Sequence, residues 1–175
     1  MNHVMLDLET FGSRPGSVIV SIGMVRFGAT DLGEEFYRLI DPNSCVELGM
    51  TMDPDSIMWW LTQSEPARAA LSRSPGEHIM TALRDVSAYL SKTTHTCVWG
   101  NGATFDNVLL SEAYRKANLQ RPWRHRLDRC FRTMKFGFPT DPPDREGTHH
   151  NALDDAKHQA IWLQKIYQKH KLVLE

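Results

Sequence analysis

The chain lacks the features that mark several large classes of protein. It has 175 residues, and no apolar run in it approaches the roughly 18 residues of a membrane span. Its three cysteines are widely spaced, with no CxxC or Cys/His ligand spacing, which argues against a disulfide framework and a structural zinc site. The N-terminus carries acids where a signal peptide needs a basic start and an apolar core. We therefore expect a cytoplasmic protein with one domain over residues 1–175.

Net charge is also nearly absent, at −1, but the charges are unevenly distributed. Residues 115–135 contain eight basic residues and one acid, Asp128. The basic ones are Arg115, Lys116, Arg121, Arg124, Arg126, Arg129, Arg132 and Lys135. Such a run is typical of a solvated helix face and a charged loop. The alternative interpretation is an electropositive surface for a phosphate backbone.

Hydrophobic periodicity predicts a mixed α/β protein. Strands are expected at His3–Glu9, Val18–Phe27, Glu35–Ile40, His95–Trp99 and around Leu127. Helices are expected at Pro54–Leu61, Glu65–Leu71, Glu77–Leu90, Asp106–Asn118 and Asn151–Gln168. The first three strands are joined by short turns, which indicates an antiparallel meander. The later elements alternate, so helices should pack on a mixed sheet.

Two acids in the first strand, Asp7 and Glu9, are separated by one residue, so both side chains leave the same face. Leu6 and Leu8 point to the opposite face, and we expect this strand to be central because it leads the meander. Burying adjacent carboxylates without partners is costly. The pair therefore indicates a bound divalent cation, unless the strand lies at the surface and the acids are solvated.

A third acid, Asp106, follows a strand and the turn Gly100-Asn101-Gly102. An acid at a helix N-terminus is favoured by the helix dipole, which explains it without any function. The same position, beyond the carboxyl end of a strand, is where α/β folds bind their ligands.

The last predicted helix separates the adjacent acids Asp154 and Asp155. Its apolar stripe consists of Ala152, Ala156, Ala160, Leu163, Ile166 and Tyr167. At about 100° per residue, Asp155 falls at the edge of this stripe, whereas Asp154 falls opposite it and should face water with His158 and Lys165. Asp155 is therefore the candidate metal ligand. Periodicity cannot choose between His149 and His150, which precede the helix, although a mobile histidine there suits a general base.

Taken together, these residues resemble the DnaQ-like 3′→5′ exonucleases of the DEDDh type. The first motif is Asp7-Leu8-Glu9-Thr10, the second ends in Phe105-Asp106, and the third runs from His150 to Asp155 as His-x-Ala-x-x-Asp. The resemblance selects His150 over His149, and it selects Asp155 independently of the helix periodicity. Further similarity across most of the chain is to the small phage- and prophage-type exonucleases that are labelled exonuclease VIII-like or ribonuclease T-like.

The resemblance implies an RNase H-like fold: a five-stranded mixed sheet, its first three strands antiparallel, with helices on both faces. It implies that Asp7, Glu9 and Asp155 hold one Mg²⁺ or Mn²⁺, and that Asp7 and Asp106 hold a second. His150 would take a proton from the attacking water. The reaction would hydrolyse the terminal phosphodiester of single-stranded or 3′-overhanging DNA or RNA and release nucleoside 5′-monophosphates. Many similar proteins form homodimers, so that state is open for this chain.

The sequence also predicts contacts to the substrate. The resemblance assigns Thr10 and Phe11 to the terminal sugar and base, and Phe105 could serve the same end, although a Phe beside a buried Asp is more often part of the core. Adjacent helical residues point about 100° apart, so one of Trp59 and Trp60 should pack inwards while the other stacks on a base.

We assign the stacking role to Trp60 and phosphate contacts to Arg124 and Arg126. One departure from the family concerns Asn101-Gly102, which occupy the place of a His-Asn pair and put a contact to the substrate in doubt.

Two other functions fit part of the pattern. One is a catalytically inactive nucleic-acid-binding module of the same fold, which the presence of all four acids and the histidine disfavours. The other is a phosphohydrolase that acts on small nucleotides. Assays on mononucleotides and oligonucleotides would separate the two.

Overall fold

The computed structural model describes residues 1–72 and 76–174. Its strands are β1 (His3–Thr10), β2 (Ile19–Phe27), β3 (Leu32–Leu39), β4 (Cys97–Gly100) and β5 (Asp128–Cys130). Its helices are α1 (Pro42–Glu47), α2 (Pro54–Leu61), α3 (Glu65–Ser72), α4 (Ile79–Leu90), α5 (Asp106–Lys116), α6 (Phe131–Gly137) and α7 (Ala152–Lys169). The predicted elements are all present within a few residues, and α1 and α6 are additional.

The five strands form one mixed sheet in the order β3-β2-β1-β4-β5. β1 pairs antiparallel with β2, and β2 pairs antiparallel with β3, as the meander predicted. β1 pairs parallel with β4, and β4 pairs parallel with β5. The predicted five-stranded mixed sheet is therefore confirmed, and β1 occupies its centre.

Alternation along β1 divides the core into two clusters, one on each face of the sheet. Val4, Leu6 and Leu8 pack with apolar residues of α4 and α5 in the larger cluster. Met5 packs on the other face with α6 and α7. Because Asp7 and Glu9 share the parity of Met5, their carboxylates emerge on the side that α7 covers.

A glycine allows α7 to lie close to the sheet. Gly23 of β2 is the pairing partner of Asp7. A β-carbon at Gly23 would overlap the backbone carbonyl of Ala152, the first residue of α7. The helix N-terminus can thus rest directly on the sheet beside Asp7.

No helix in the described part of the chain is both long and apolar enough to traverse a bilayer.

Candidate active site

Four carboxylates converge at one edge of the central strand. Asp7 and Glu9 come from β1, and the Asp106 carboxylate accepts a hydrogen bond from the backbone N–H of Leu8, with Oδ1 at 3.3 Å. Asp155 approaches from α7. Glu9, Asp106 and Asp155 are 7%, 2% and 9% exposed, so these charges lie almost wholly out of water. Asp7 is half-buried and lines the cavity that lies over the four acids.

Asp106 is positioned by close packing at the end of β4. α5 begins at this residue, with Phe105 as its N-cap. A β-carbon at Gly100 would approach Asp106 Oδ2 to 3.0 Å, which is tighter than ordinary contacts. The lack of a side chain at Gly100 therefore lets the helix N-terminus sit beside β1.

Asp155 is oriented by the first turn of α7. Asn151 caps this helix, because its Oδ1 accepts hydrogen bonds from the backbone N–H groups of Leu153 and Asp154 at 3.1 and 3.2 Å. Asp155 Oδ2 accepts from the backbone N–H of His150 at 3.0 Å, and Oδ1 is paired with Arg145. The inward orientation of Asp155 agrees with the helical periodicity.

Asp154, on the other side of the helix, accepts a hydrogen bond from the backbone N–H of Thr148 at 2.8 Å and is half-buried. His158 was predicted to face water with Asp154. It is half-buried and does share the wall of a small surface cavity with Asp154, but it also lines the cavity over the acids.

The acids raise each other's affinity for protons. Burial, together with the charges of Asp106, Glu9 and Asp155, holds the pKa of Asp7 well above its usual range. Burial and the charges of Asp155 and Asp106 raise the pKa of Glu9 to about 8, and burial raises the pKa of Asp106 to about 7. Carboxylates placed in this way need a compensating positive charge to be ionised together.

The donor set fits a hard divalent cation. One oxygen each from Asp7, Glu9 and Asp155 lies within 4.8 Å of the others. An all-oxygen carboxylate set is the kind that Mg²⁺ and Mn²⁺ prefer. His149, His150 and Asp155 also offer ligand atoms within 4.8 Å of one another, but two of the three are nitrogens and His149 is exposed. The carboxylate set is therefore the better match to these two cations.

His150 lies at the mouth of this centre, in a constrained conformation. Its backbone φ is 64°, in the left-handed region that non-glycine residues seldom adopt. Its ring lies edge-on to Trp59 and Trp60, with centroids at 4.9 and 5.9 Å. Burial and the neighbouring His149 lower the pKa of His150, so the ring favours its neutral, proton-accepting form.

A cavity of about 330 Å³ lies over the acids. It is also lined by residues that the sequence analysis did not select: Arg132, Lys135, Arg145, His149, His158 and Gln159. Arg145 comes from the loop before α7 and lies ten residues before Asp155, its partner. No periodicity links a loop residue to a helix, so this ion pair had no sequence signal.

A second cavity of about 660 Å³ adjoins the first, and both are lined by Glu9, Phe105 and His150. Its wall is completed by residues of β1 and α2, including Thr10, Asp53, Asp55 and Trp59. Thr10 is buried, and its hydroxyl donates to the carbonyl of Gly12 at 2.7 Å. Phe105 packs partly against the larger core cluster but remains in both cavity walls.

Two of the predicted substrate contacts are placed differently by the structure. Trp60 is 5% exposed, and its indole N–H donates to the carbonyl of Thr10 at 2.9 Å. It is therefore the inward-packed member of the pair, although it still forms part of the wall of the second cavity, whereas Trp59 is 45% exposed there. Phe11 packs against the core and is not among the residues that line either cavity. The orientation of α2 on the sheet decides which of the two tryptophans packs inwards. Their adjacent positions in the sequence could not show this.

The basic run is divided by β5. Arg124 and Arg126 precede this strand and are exposed at the end of the sheet away from the acids, so the structure does not bring them to the site. Arg132 and Lys135, on α6 after the strand, line the cavity. The sequence departs from the family's second motif at Asn101-Gly102. Gly102 has a φ of 134°, and a β-carbon at this position would lie 3.5 Å from the guanidinium carbon of Arg132.

Comparison with known proteins identifies one family. A family described as a 3′-5′ exoribonuclease Rv2179c-like domain matches residues 2–167. No curated protein matches the chain. The family resemblance seen in the three motifs is confirmed, and assignment to the phage-type subgroup stays a prediction.

Solved structures share the fold at low sequence identity. Exonuclease I of E. coli in complex with a dT13 oligonucleotide is 14% identical, with a TM-score of 0.68, over 97% of this chain and 41% of that one. The nuclease domain of 3′hExo, a DEDDh family member bound to rAMP, is 14% identical, with a TM-score of 0.65, over 99% and 95%. Cell-death related nuclease 4 is 12% identical, with a TM-score of 0.63, over 95% and 64%. The chain thus spans about two fifths of exonuclease I, and the predicted RNase H-like exonuclease fold is confirmed.

Proposed function

The chain belongs to the Rv2179c-like 3′-5′ exoribonuclease domain family, and we propose that it removes nucleotides one at a time from the 3′ ends of single-stranded RNA in a reaction that needs divalent cations. The observation that carries this proposal is the convergence of Asp7, Glu9, Asp106 and Asp155 from three separate elements, with His150 at their edge. An inactive binding module has no need to bury four mutually repelling acids. We take residues 1–175 as one exonuclease domain, because a single sheet carries both core clusters.

The residues suited to hold the cations are the four acids. Asp7, Glu9 and Asp155 would hold one ion, and Asp106 with Asp7 would hold a second. When bound, Mg²⁺ or Mn²⁺ ions offset the negative charge that develops on the phosphate and on the departing oxygen. The raised pKa values of Asp7, Glu9 and Asp106 support this assignment, since they mark carboxylates that lack full compensation from the protein.

His150 is the proposed general base. Its neutral ring would accept a proton from a water that attacks the terminal phosphorus. The bond to the 3′ oxygen of the penultimate nucleotide breaks, so the product is a nucleoside 5′-monophosphate. The contacts with Trp59 and Trp60 restrict the ring at the cavity mouth, which supports a positioned rather than a freely rotating base.

The adjoining cavity is the proposed site of the terminal nucleoside. Trp59 offers an exposed ring on which an unpaired base can stack, which favours single-stranded ends. Asp53 and Asp55 add negative charge to the wall of this cavity. These two acids outnumber Arg132, the arginine in the same wall, so a terminal phosphate would be repelled and we expect the enzyme to require a free 3′-hydroxyl. Arg132 lines both cavities and Lys135 lines the first one, so both are placed to contact the phosphate backbone beside the acids.

RNA is proposed as the substrate because the family is described as an exoribonuclease domain family. DNA is the alternative substrate against which RNA should be tested. Among the solved structures, the oligonucleotide with exonuclease I is dT13, whereas 3′hExo holds rAMP. The fold is therefore compatible with both sugars, and discrimination would rest on contacts to the 2′-hydroxyl.

The test is a panel of single- and double-stranded RNA and DNA, labelled at the 5′ or the 3′ end, with Mg²⁺, Mn²⁺ or EDTA. We expect 3′-labelled RNA to release labelled mononucleotide at once, and 5′-labelled RNA to shorten progressively. Ends that carry a 3′-phosphate should resist digestion. Cleavage that persists in EDTA, products cut internally, or an Asp7→Asn variant with wild-type activity would contradict the proposal.

A further inference from the structure

Gln159 occupies an unexpected position in the proposed metal site. It lies on α7 one turn after Asp155, on the same face of the helix, and its side chain lines the cavity over the acids. It is 6% exposed, which is unusual for a glutamine. The family motifs do not include it, and the apolar stripe of the helix gave no reason to select it.

The side-chain amide of Gln159 contacts Asp7 directly. Its Nε2 donates to Asp7 Oδ1 at 2.7 Å, across 152 residues of sequence. Within residues 1–72 and 76–174, it is the one donor that hydrogen-bonds to this carboxylate. A neutral amide favours the ionised acid without bringing a cation that would compete with a metal ion. Its contact with Oδ1 leaves Oδ2 of Asp7 for another partner.

The other end of the same amide has no protein partner. Gln159 Oε1 is buried and accepts no hydrogen bond from any described residue. Leaving a buried acceptor unpaired lowers the stability of a protein. A methionine would fill nearly the same volume without that cost, so a role in folding alone does not explain the glutamine. Together with the contact to Asp7, the unpaired oxygen points to a function at the cavity.

We propose that Gln159 is a positioning residue of the metal centre, which fixes Asp7 in the orientation that presents its free oxygen to the divalent cations. This inference rests on the proposed metal-dependent function. Gln159 itself would touch neither substrate nor the reacting atoms. Removing a residue that orients a metal ligand typically weakens metal affinity by about 10- to 100-fold.

The competing explanation is a structural one, in which Gln159 only fastens α7 to β1. Gln164 provides a matched control for this possibility. It is also a buried glutamine on α7, at 7% exposure, and its Nε2 donates to the carbonyls of Gly28 and Asp31 at 2.9 and 3.1 Å. It contacts none of the four acids, so its replacement tests the loss of helix attachment alone.

The experiment compares Gln159→Met and Gln164→Met in the full chain, without nucleic acid. Calorimetric titration with Mn²⁺ measures the Kd, and thermal unfolding in EDTA and in Mn²⁺ measures how far the ion stabilises each variant. We expect Gln159→Met to weaken Mn²⁺ binding about tenfold or more, with a smaller rise in Tm on adding the ion. Gln164→Met should lower the Tm in EDTA and leave the Kd unchanged.

Activity gives a second readout. The Mg²⁺ concentration for half-maximal nuclease activity should rise in Gln159→Met, and excess Mg²⁺ should restore much of kcat, which a merely misfolded variant would not show. A wild-type Kd for Gln159→Met, or an equal weakening in both variants, would overturn the inference. If Gln159→Met fails to fold, Gln159→Asn, which retracts the amide by one methylene, takes its place under the same criteria. Failure of the wild-type chain to bind Mn²⁺ would instead contradict the proposed function.

Discussion

Gly23 and Ala152 are in direct backbone contact, and this contact determines how closely α7 approaches β1. A β-carbon at Gly23 would overlap the carbonyl of Ala152, and Gly23 is the partner of Asp7 in the β1–β2 register. The distance from Asp155 to Asp7 therefore depends on the absence of one side chain.

Gly23→Ala should separate the helix from the sheet. We expect a loss of about 1–3 kcal/mol of stability, typical of overpacking, and a larger proportional loss of nuclease activity because Asp155 retreats from Asp7. Gly28→Ala is the control, since a β-carbon there would meet Met1 Cγ at 3.8 Å, an ordinary contact. Urea unfolding and oligonucleotide digestion measure the two effects. Wild-type activity in Gly23→Ala would show that the close approach does not control the site.

The adjacent histidines should differ sharply in function. His150→Ala should lower kcat by about 10²- to 10⁴-fold, as expected for loss of a general base, and should keep Mn²⁺ binding because the acids remain. His149→Ala should retain most activity, since the exposed ring of His149 lies outside the proposed carboxylate set. Single-turnover digestion of 3′-labelled RNA distinguishes the two variants. Equal losses of kcat in the two variants would contradict the assignment of His150 alone as the general base.

Stability without metal should fall as pH rises from 6.5 to 8.5. The pKa of Asp106 is raised to about 7 and that of Glu9 to about 8, so the folded protein holds protons that the unfolded chain has already released. The folded state is therefore favoured at the acidic end of this window, and the advantage is lost as pH passes through the raised values. The lowered pKa values of His150 and His158 act in the opposite direction, but their effect is nearly complete about one pH unit above 6.5, the unperturbed histidine value, so the acids determine the trend over the rest of the window.

The measurement is the urea midpoint in EDTA at several pH values within that window. Glu9→Gln should flatten the dependence, because it removes a group that titrates near pH 8. Added Mg²⁺ should stabilise the wild-type protein more at pH 8.5 than at pH 6.5. A midpoint that rises with pH would contradict the buried, mutually repelling arrangement of the acids.

The two neighbouring tryptophans should have separate roles. Trp59→Ala should raise KM for single-stranded RNA by about tenfold or more, because stacking of a base on an aromatic ring is worth about 1–3 kcal/mol. Its Tm should change little, since the ring is already half-exposed. Trp60→Ala should lower the Tm, because it removes a buried ring and the hydrogen bond to Thr10. A KM effect confined to Trp60 would restore that residue as the stacking platform.

Salt dependence should locate the path of the phosphate backbone. Replacing Arg132 and Lys135 by Ala should weaken RNA binding and flatten its dependence on salt, by about 0.7 in the log–log slope for each phosphate of a single strand that the protein no longer neutralises. Replacing Arg124 and Arg126 should change the slope less, because they lie beyond the opposite end of β5. Binding is measured in Ca²⁺ or with an Asp7→Asn background to prevent digestion. A larger effect of Arg124 and Arg126 would indicate a longer binding path than the cavity.

The sequence alone determined whatever depends on the period of one element. Alternation placed Asp7 and Glu9 on one face of β1, helical periodicity turned Asp155 towards the sheet, and the spaced motifs gave the family and the fold. α1 and α6 were missed because helices of six and seven residues carry too little periodicity to identify. Only the tertiary structure decided that Trp59 rather than Trp60 is the exposed ring at the cavity, that Arg145 pairs with Asp155, and that Gln159 donates a hydrogen bond to Asp7. These contacts join segments through the packing of helices and loops on the sheet, and no local pattern records the distance or angle at which such surfaces meet.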